Sequence, residues 1–301
     1  MRATTPITLL MNGALATAPP SVGVQPCALL RGALATRLER GDVELPLPPR
    51  VATEVLALTR DDTADIGRLG KLLHQDPALA GHVLRIANSP AYLPRSPIVS
   101  LQQAVTHLGF TLLSEIALVA SMQSGVFKLR GYESELRDIW QHALASGGFA
   151  REIARKLRSN VESAFLCGLM HTIGKPLVLQ TVVNESGKLG VAASRDDVRQ
   201  LIDQFHIPAG GLLAKRWALP GAVCDAISSY ASYTSGTAGP REPVITALAD
   251  RLAFHLVDKE TDETALRAHR SWVDLNLYPE DAEDILGRTD TVRGLVESML
   301  L

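Results

Sequence analysis

The chain has 301 residues, 46% hydrophobic and 21% charged, with 30 basic against 32 acidic side chains and a formal net charge of -2. A chain of this length suggests about two domains and can bury roughly three quarters of its unfolded surface, so it needs no covalent staple. Balanced charge argues against general nucleic-acid or membrane-surface binding, and 3 Trp, 5 Tyr and 6 Phe are few for a base-stacking or sugar-stacking surface.

Residues 1 to 26 are rich in Ala, Thr and Pro and read as an arm. Arg2 precedes an apolar segment from Ile7 to Ala18, and Ala16-Thr17-Ala18 resembles a signal-peptidase site. Asn12 and Gly13 interrupt that segment, and a single basic residue leads it, so a secretory leader is not expected. Cys27, Cys167 and Cys224 lie far apart with no C-x-x-C pair, which suits a reducing cytoplasm better than a disulfide framework or zinc ribbon. No uninterrupted apolar run has bilayer-spanning length, so no membrane span is expected.

Leu29, Leu30, Ala33, Leu34 and Leu38 recur at helical spacing over 27 to 40, and Gly41 supplies a stop. The run Leu45-Pro46-Leu47-Pro48-Pro49 can be neither helix nor central strand. A helix follows over 51 to 59, and two short ones between 61 and 88, the second opened by Asp76 as cap and Pro77 at the first helical position. Ser100 with Gln103 makes a capping box for a helix over 101 to 108; Gly109 ends it, and another spans 111 to 122. After a break from Gly125 to Gly131, Ser134 is expected to cap a long helix to about 157, with Trp140, Leu144, Gly147, Ala154 and Leu157 on its buried stripe. Its basic end, Arg151, Arg155, Lys156 and Arg158, reads as a solvated turn complementing the helix dipole.

Further helices are expected over 161 to 170, 174 to 183, 194 to 205, 209 to 216, 220 to 231 and 241 to 257. Thr181-Val182-Val183 is the only β-like stretch and is too short to outweigh its helical surroundings, so the predicted class is all-α. From Asp258 the chain is charged at first. It ends in an amphipathic segment bearing Ile285, Leu286, Val292, Leu295, Val296 and Met299, expected to pack on its own core.

A hydrolytic metal site needs neutral imidazoles and carboxylates converging from several helices, which singles out His142, His171, His206 and Asp250. Around them stand His74-Gln75-Asp76-Pro77-Ala78-Leu79, Arg85-Ile86-Ala87-Asn88-Ser89-Pro90, and Ile98 to Gly109 reading IVSLQQAVTHLG. Together with the Leu-Pro-Pro-like opening at 45 to 50, these segments resemble the HDOD domains, relatives of the HD superfamily of metal-dependent phosphohydrolases. The resemblance covers about 45 to 255. It implies an N-terminal helical half over 45 to 130 packed on an HD-like half over 131 to 255, flanked by an arm with one short helix (1 to 44) and a helical tail (256 to 301).

The departures from the catalytic pattern matter most. In catalytic HD relatives a His is followed by Asp; here His171 is followed by Thr172, a neutral and weak ligand. His142, His206 and Asp250 match positions used by the HD-GYP phosphodiesterases, but a paired His is replaced by Tyr230-Ala231. The resemblance therefore implies vestigial HD positions at His142, His171, Thr172, His206, Tyr230 and Asp250, no catalysis and no cofactor. Two readings of the His cluster remain: groups hydrogen-bonded to one another and to Asp250, or a single divalent metal on His142, His171 and Asp250. The expected role is a non-enzymatic bacterial signalling adaptor that binds another protein; the rivals are a residual metal-dependent phosphodiesterase or a nucleotide sensor. The Ile173-Gly174-Lys175 turn and Asn88-Ser89-Pro90 read as structural, Trp217 as packing between helices, and Cys167 as buried filler.

Overall fold

Every regular element among the described residues is a helix, fifteen in all. The computed structural model describes residues 26–58, 66–92, 94, 96–233, 240–258 and 262–300; the leader-like segment and the start of the second predicted helix pair lie outside them. First come α1 (Pro26–Arg40), α2 (Arg50–Leu58), α3 (Ile66–His74), α4 (Pro77–Ala87) and α5 (Leu101–Gly125). Next are α6 (Glu133–Lys156), α7 (Val161–Met170), α8 (Gly174–Leu189), α9 (Arg195–Arg216), α10 (Gly221–Ser229) and α11 (Glu242–Asp258). The tail carries α12 (Glu263–Arg267), α13 (Ser271–Asp274), α14 (Pro279–Leu286) and α15 (Thr289–Met299).

Local chemistry sets most boundaries. Asp76 accepts from Leu79 N–H at the start of α4, and Ser100 accepts from Gln103 N–H at the start of α5. Gly109 (φ 78°, ψ 168°) breaks α5 into the two expected helices. Asn88 closes α4 and reaches on to Ile98, accepting its N–H and donating to its carbonyl, both at 2.8 Å, which supports the structural reading of that loop. The Trp217 indole donates to the Pro46 carbonyl at 2.8 Å, pinning the proline-rich run to the end of α9.

Four expectations need correction. Ser134 does not cap α6: Tyr132 holds the cap position without a side-chain bond, while the Ser134 hydroxyl donates to Glu135. The helices expected over 194–205 and 209–216 are one, α9, running through Pro208. Proline forfeits one backbone bond there, but Phe205, His206, Ala209 and Gly210 are all buried, and that packing holds the helix through the defect. α8 continues past 183 to Leu189, where Gly190 (φ 66°) ends it. The basic end of α6 is ion-paired: Arg151 bonds Glu115 and lies 4.5 Å above the Phe165 ring, and Lys156 meets Asp281 at 3.0 Å and Asp284 at 2.5 Å.

Two stretches, Leu101–Ser124 and Val161–Leu189, have the length and mean hydropathy of a bilayer span even though neither is an unbroken apolar run. Gly109 interrupts the first and the turn at 171–173 the second, and more than half of the most apolar 18 residues of each is buried in the fold.

α6 is the axis of the core. His142 to Ala150 are buried without interruption, because α7, α11 and α15 all pack on this helix. Small residues permit the approach: a Cβ on Gly168 of α7 would sit 2.6 Å from the Ser146 carbonyl, and one on Gly148 would sit 2.9 Å from Val292 of α15. The final amphipathic segment thus docks on its own core, with Val292, Leu295, Val296 and Met299 buried.

Replacing Gly168 with Ala forces Cβ into backbone and should cost about 1–3 kcal/mol in thermal unfolding. At Gly211, where nothing lies within 4 Å, the same change should stabilise by about 0.4–1 kcal/mol. Glu115 joins α5 to α6, and burial pushes its carboxyl up to about 7 against the pull of Arg151. A raised carboxyl contributes stability that is full below its unfolded value of 4.5 and lost as pH rises through 7. Glu115→Gln should flatten the fall in stability across that window, as read by urea unfolding at a series of pH values.

Candidate functional site

Helices α6, α7 and α11 bring His142, His171 and Asp250 to one buried point. Asp250 Oδ1 lies 2.9 Å from His142 Nε2 and 3.1 Å from His171 Nε2. Burial alone would raise the Asp250 pKa, but the hydrogen bonds from the two imidazoles more than offset it and hold the carboxyl below its ordinary value. Desolvation holds His142 below its ordinary value, so neutral imidazole is its resting form.

His171 is oriented from behind, its Nδ1 lying 2.6 Å from the Gly168 carbonyl. A carbonyl only accepts, so Nδ1 carries the hydrogen, and in the neutral ring Nε2 is the lone-pair atom. That lone pair faces a carboxylate oxygen, another acceptor, so a proton or a cation is shared between them.

His206 belongs to a second, adjoining layer. Its Nδ1 donates to the carbonyls of Ile202 and Asp203, and its Nε2 accepts the Tyr230 hydroxyl at 2.8 Å. Every polar atom of this imidazole is satisfied without Asp250. Tyr230 links the layers, its ring meeting His171 edge-on at 4.7 Å. Thr172 is buried and contributes no charge.

The donor set fits one divalent ion. The ligand atoms of His142, His171 and Asp250 all lie within 4.8 Å of one another, the Gly168 carbonyl fixes the ligating tautomer of His171, and three protein ligands can hold a metal with an open position. Such an ion would supply Lewis acidity and acidify a bound water. Among the described residues no second carboxylate joins this cluster, and Tyr230 occupies His206 Nε2.

Several neighbours escaped the sequence reading. Phe254 stacks 4.4 Å from the His142 ring, and Ser146 Oγ is 3.4 Å from His142 Nε2. Each lies one helical turn beyond a predicted residue, Asp250 and His142 respectively, which is the signal that could have found them. A cavity of about 330 Å³ opens beside Asp250 and is walled in part by Tyr233, Arg251, His269 and Arg270, for which no motif spacing gave a sign. Cys167 is buried and pushed up to about 12 by that burial, in keeping with inert filler.

An all-helical fold that converges His and Asp from separate helices defines a protein related to the HD superfamily. The HDOD domain family matches residues 45–233, and the chain belongs to it. An HDOD domain protein of unknown function from Geobacter sulfurreducens superposes with a TM-score of 0.67 at 24% identity, covering 90% of this chain and 98% of that one. A candidate phosphohydrolase from Shewanella amazonensis gives 0.65 at 21% identity, covering 89% and 98%. For a candidate signal transduction protein from Marinobacter aquaeolei the score is 0.62 at 24% identity, covering 93% and 67%. In sequence, an uncharacterised protein from Treponema pallidum is 22% identical over 240 residues, 77% of this chain and 45% of that protein, so the chain spans less than half the length of this curated relative.

Asp250→Ala leaves two buried imidazoles facing a void and should cost about 3–5 kcal/mol at neutral pH. Because the folded carboxyl is depressed, its contribution is present above the unfolded value of 3.8 and is lost as pH falls below it. The gap between wild type and variant in denaturant titrations should therefore be full at pH 6 and narrow toward strong acid.

Proposed function

We propose that the chain is a non-enzymatic regulatory protein of bacterial signal transduction, working in the cytoplasm by binding another protein and keeping its HD site as a structural centre without metal. The observation that carries this reading is the donor inventory. Asp250 is the one carboxylate in the cluster, Thr172 supplies no second one, and Tyr230 occupies the imidazole of His206. A phosphodiesterase that activates water and stabilises a leaving oxygen with two ions needs more anionic ligands than this. A proton between His171 and Asp250 satisfies the two facing acceptors as fully as an ion would. The Marinobacter protein, which shares the fold, is named for signal transduction, which supports the signalling part of this reading.

The convergence of His142, His171 and Asp250 favours a second reading, a residual single-metal phosphodiesterase or a nucleotide sensor. Elemental analysis of chelator-free protein, paired with His171→Ala, separates the two. The proposal expects substoichiometric Fe, Mn and Zn, unchanged by the substitution, no hydrolysis of bis(p-nitrophenyl) phosphate or a cyclic dinucleotide with added Mn, and a specific protein partner on affinity capture from the native host. Stoichiometric metal lost in His171→Ala, with hydrolysis lost in Asp250→Ala, would install the second reading instead.

A further inference from the structure

The cavity beside Asp250 is assembled mostly outside the family-matched segment, since Ala247, Asp250, Arg251, Phe254, His269 and Arg270 all lie beyond residue 233. At about 330 Å³ it stands at the lower end of small-molecule sites. Its chemistry is asymmetric. Arg251 and Arg270 are exposed at its rim, and among the described residues Arg251 has no hydrogen-bond or ion-pair partner, while Arg270 meets only Asp274, at 3.3 Å. Aromatic rings of Tyr230, Tyr233 and Phe254 form its walls, and the Arg270 guanidinium sits 5.7 Å from the Tyr233 ring centre.

His269 is pre-set as a donor. The buried Ser271 hydroxyl lies 2.8 Å from His269 Nδ1 and 2.8 Å from the Tyr233 hydroxyl, and the Ser271 N–H also points at Nδ1. The Ser271 N–H and hydroxyl both donate to Nδ1, so the neutral ring carries its hydrogen on Nε2. Burial, followed by the charges of Arg251 and Arg270, holds His269 below its ordinary value, which agrees with three donors gathered around one space.

We propose that this cavity binds a small organic acid with a planar ring, its carboxylate held by Arg251, Arg270 and His269 Nε2–H and its ring packed against Tyr233 and Phe254. Guanidinium forks and a ring N–H match a planar carboxylate, and flat aromatic walls match a flat ligand. The aromatic walls set the preference: inorganic phosphate can meet the arginines but has no flat face to lay against Tyr233 and Phe254. This inference does not rest on the regulatory reading, and binding and turnover are separate readouts.

Isothermal titration of the full chain with benzoate, indole acetate and inorganic phosphate tests it. At least one ring acid should bind one per chain, and Arg251→Ala and Arg270→Ala should each weaken it by about tenfold or more. His269→Gln should weaken it too, while Arg293→Ala, whose side chain pairs with Asp290 away from the cavity, should leave it unchanged. Both arginines are exposed, so the variants should keep the wild-type circular dichroism and melting temperature. No ring-acid binding up to ~10 mM, inorganic phosphate binding as tightly as the ring acids, or affinity indifferent to both arginine substitutions would each overturn the proposal.

Discussion

Two backbone contacts, one on each side of the turn at 171–173, fix the position on which the site depends. Before the turn, Gly168 lies so close to α6 that a Cβ would come within 2.6 Å of the Ser146 carbonyl; after it, Gly174 lies so close to α9 that a Cβ would sit 1.8 Å from the His206 carbonyl. Neither approach tolerates a side chain, so only glycine lets α7 and α8 bring His171 and Thr172 between α6 and α9. The Gly168 carbonyl also holds His171 Nδ1, which makes the packing contact and the ring orientation one feature. The Ile-Gly-Lys turn is therefore a matter of backbone clearance, while the Lys175 ammonium lies 5.7 Å from the Phe254 ring and its charge disfavours protonation of His142 and His206.

Burial of a carboxylate is the other constraint. A lone ionised Asp in this core would be costly, and two imidazoles aimed at one oxygen remove that cost only if a proton or cation bridges them. Metal-binding and structural versions of such a cluster share their geometry and differ in total charge. A second carboxylate at position 172 would favour the ion; a neutral Thr172 lets one proton suffice. His206, turned to Tyr230, takes no part in that balance, which separates the six positions matched by resemblance into a charged triad and a neutral pair beside a silent hydroxyl.

Local signals were legible wherever the deciding chemistry was local. Asp76 and Ser100 cap the helices they precede, and Gly109 ends the segment it follows. Pro208 misled because a proline's cost is local while the burial that outweighs it comes from partners distant in sequence. Ser134 misled for the opposite reason, since its hydroxyl found the neighbouring Glu135 carboxylate and left the backbone uncapped. Within the site, ligand chemistry and resemblance marked His142, His171 and Asp250, but nothing in sequence order could assign His206 to Tyr230 or bring His269 and Arg251 to one cavity.

The tail shows why a family boundary is not a physical one. The matched segment ends at residue 233, yet Asp250 comes later in the chain, and α15 buries Val292, Leu295, Val296 and Met299 against the central helix. The glycine at 148 that admits α15 lies in the same uninterrupted buried stretch as His142, and Lys156 at the end of that helix is tied to Asp281 and Asp284. The extension is part of the same core as the site, so anything that moves the tail acts on two of the helices that carry the triad.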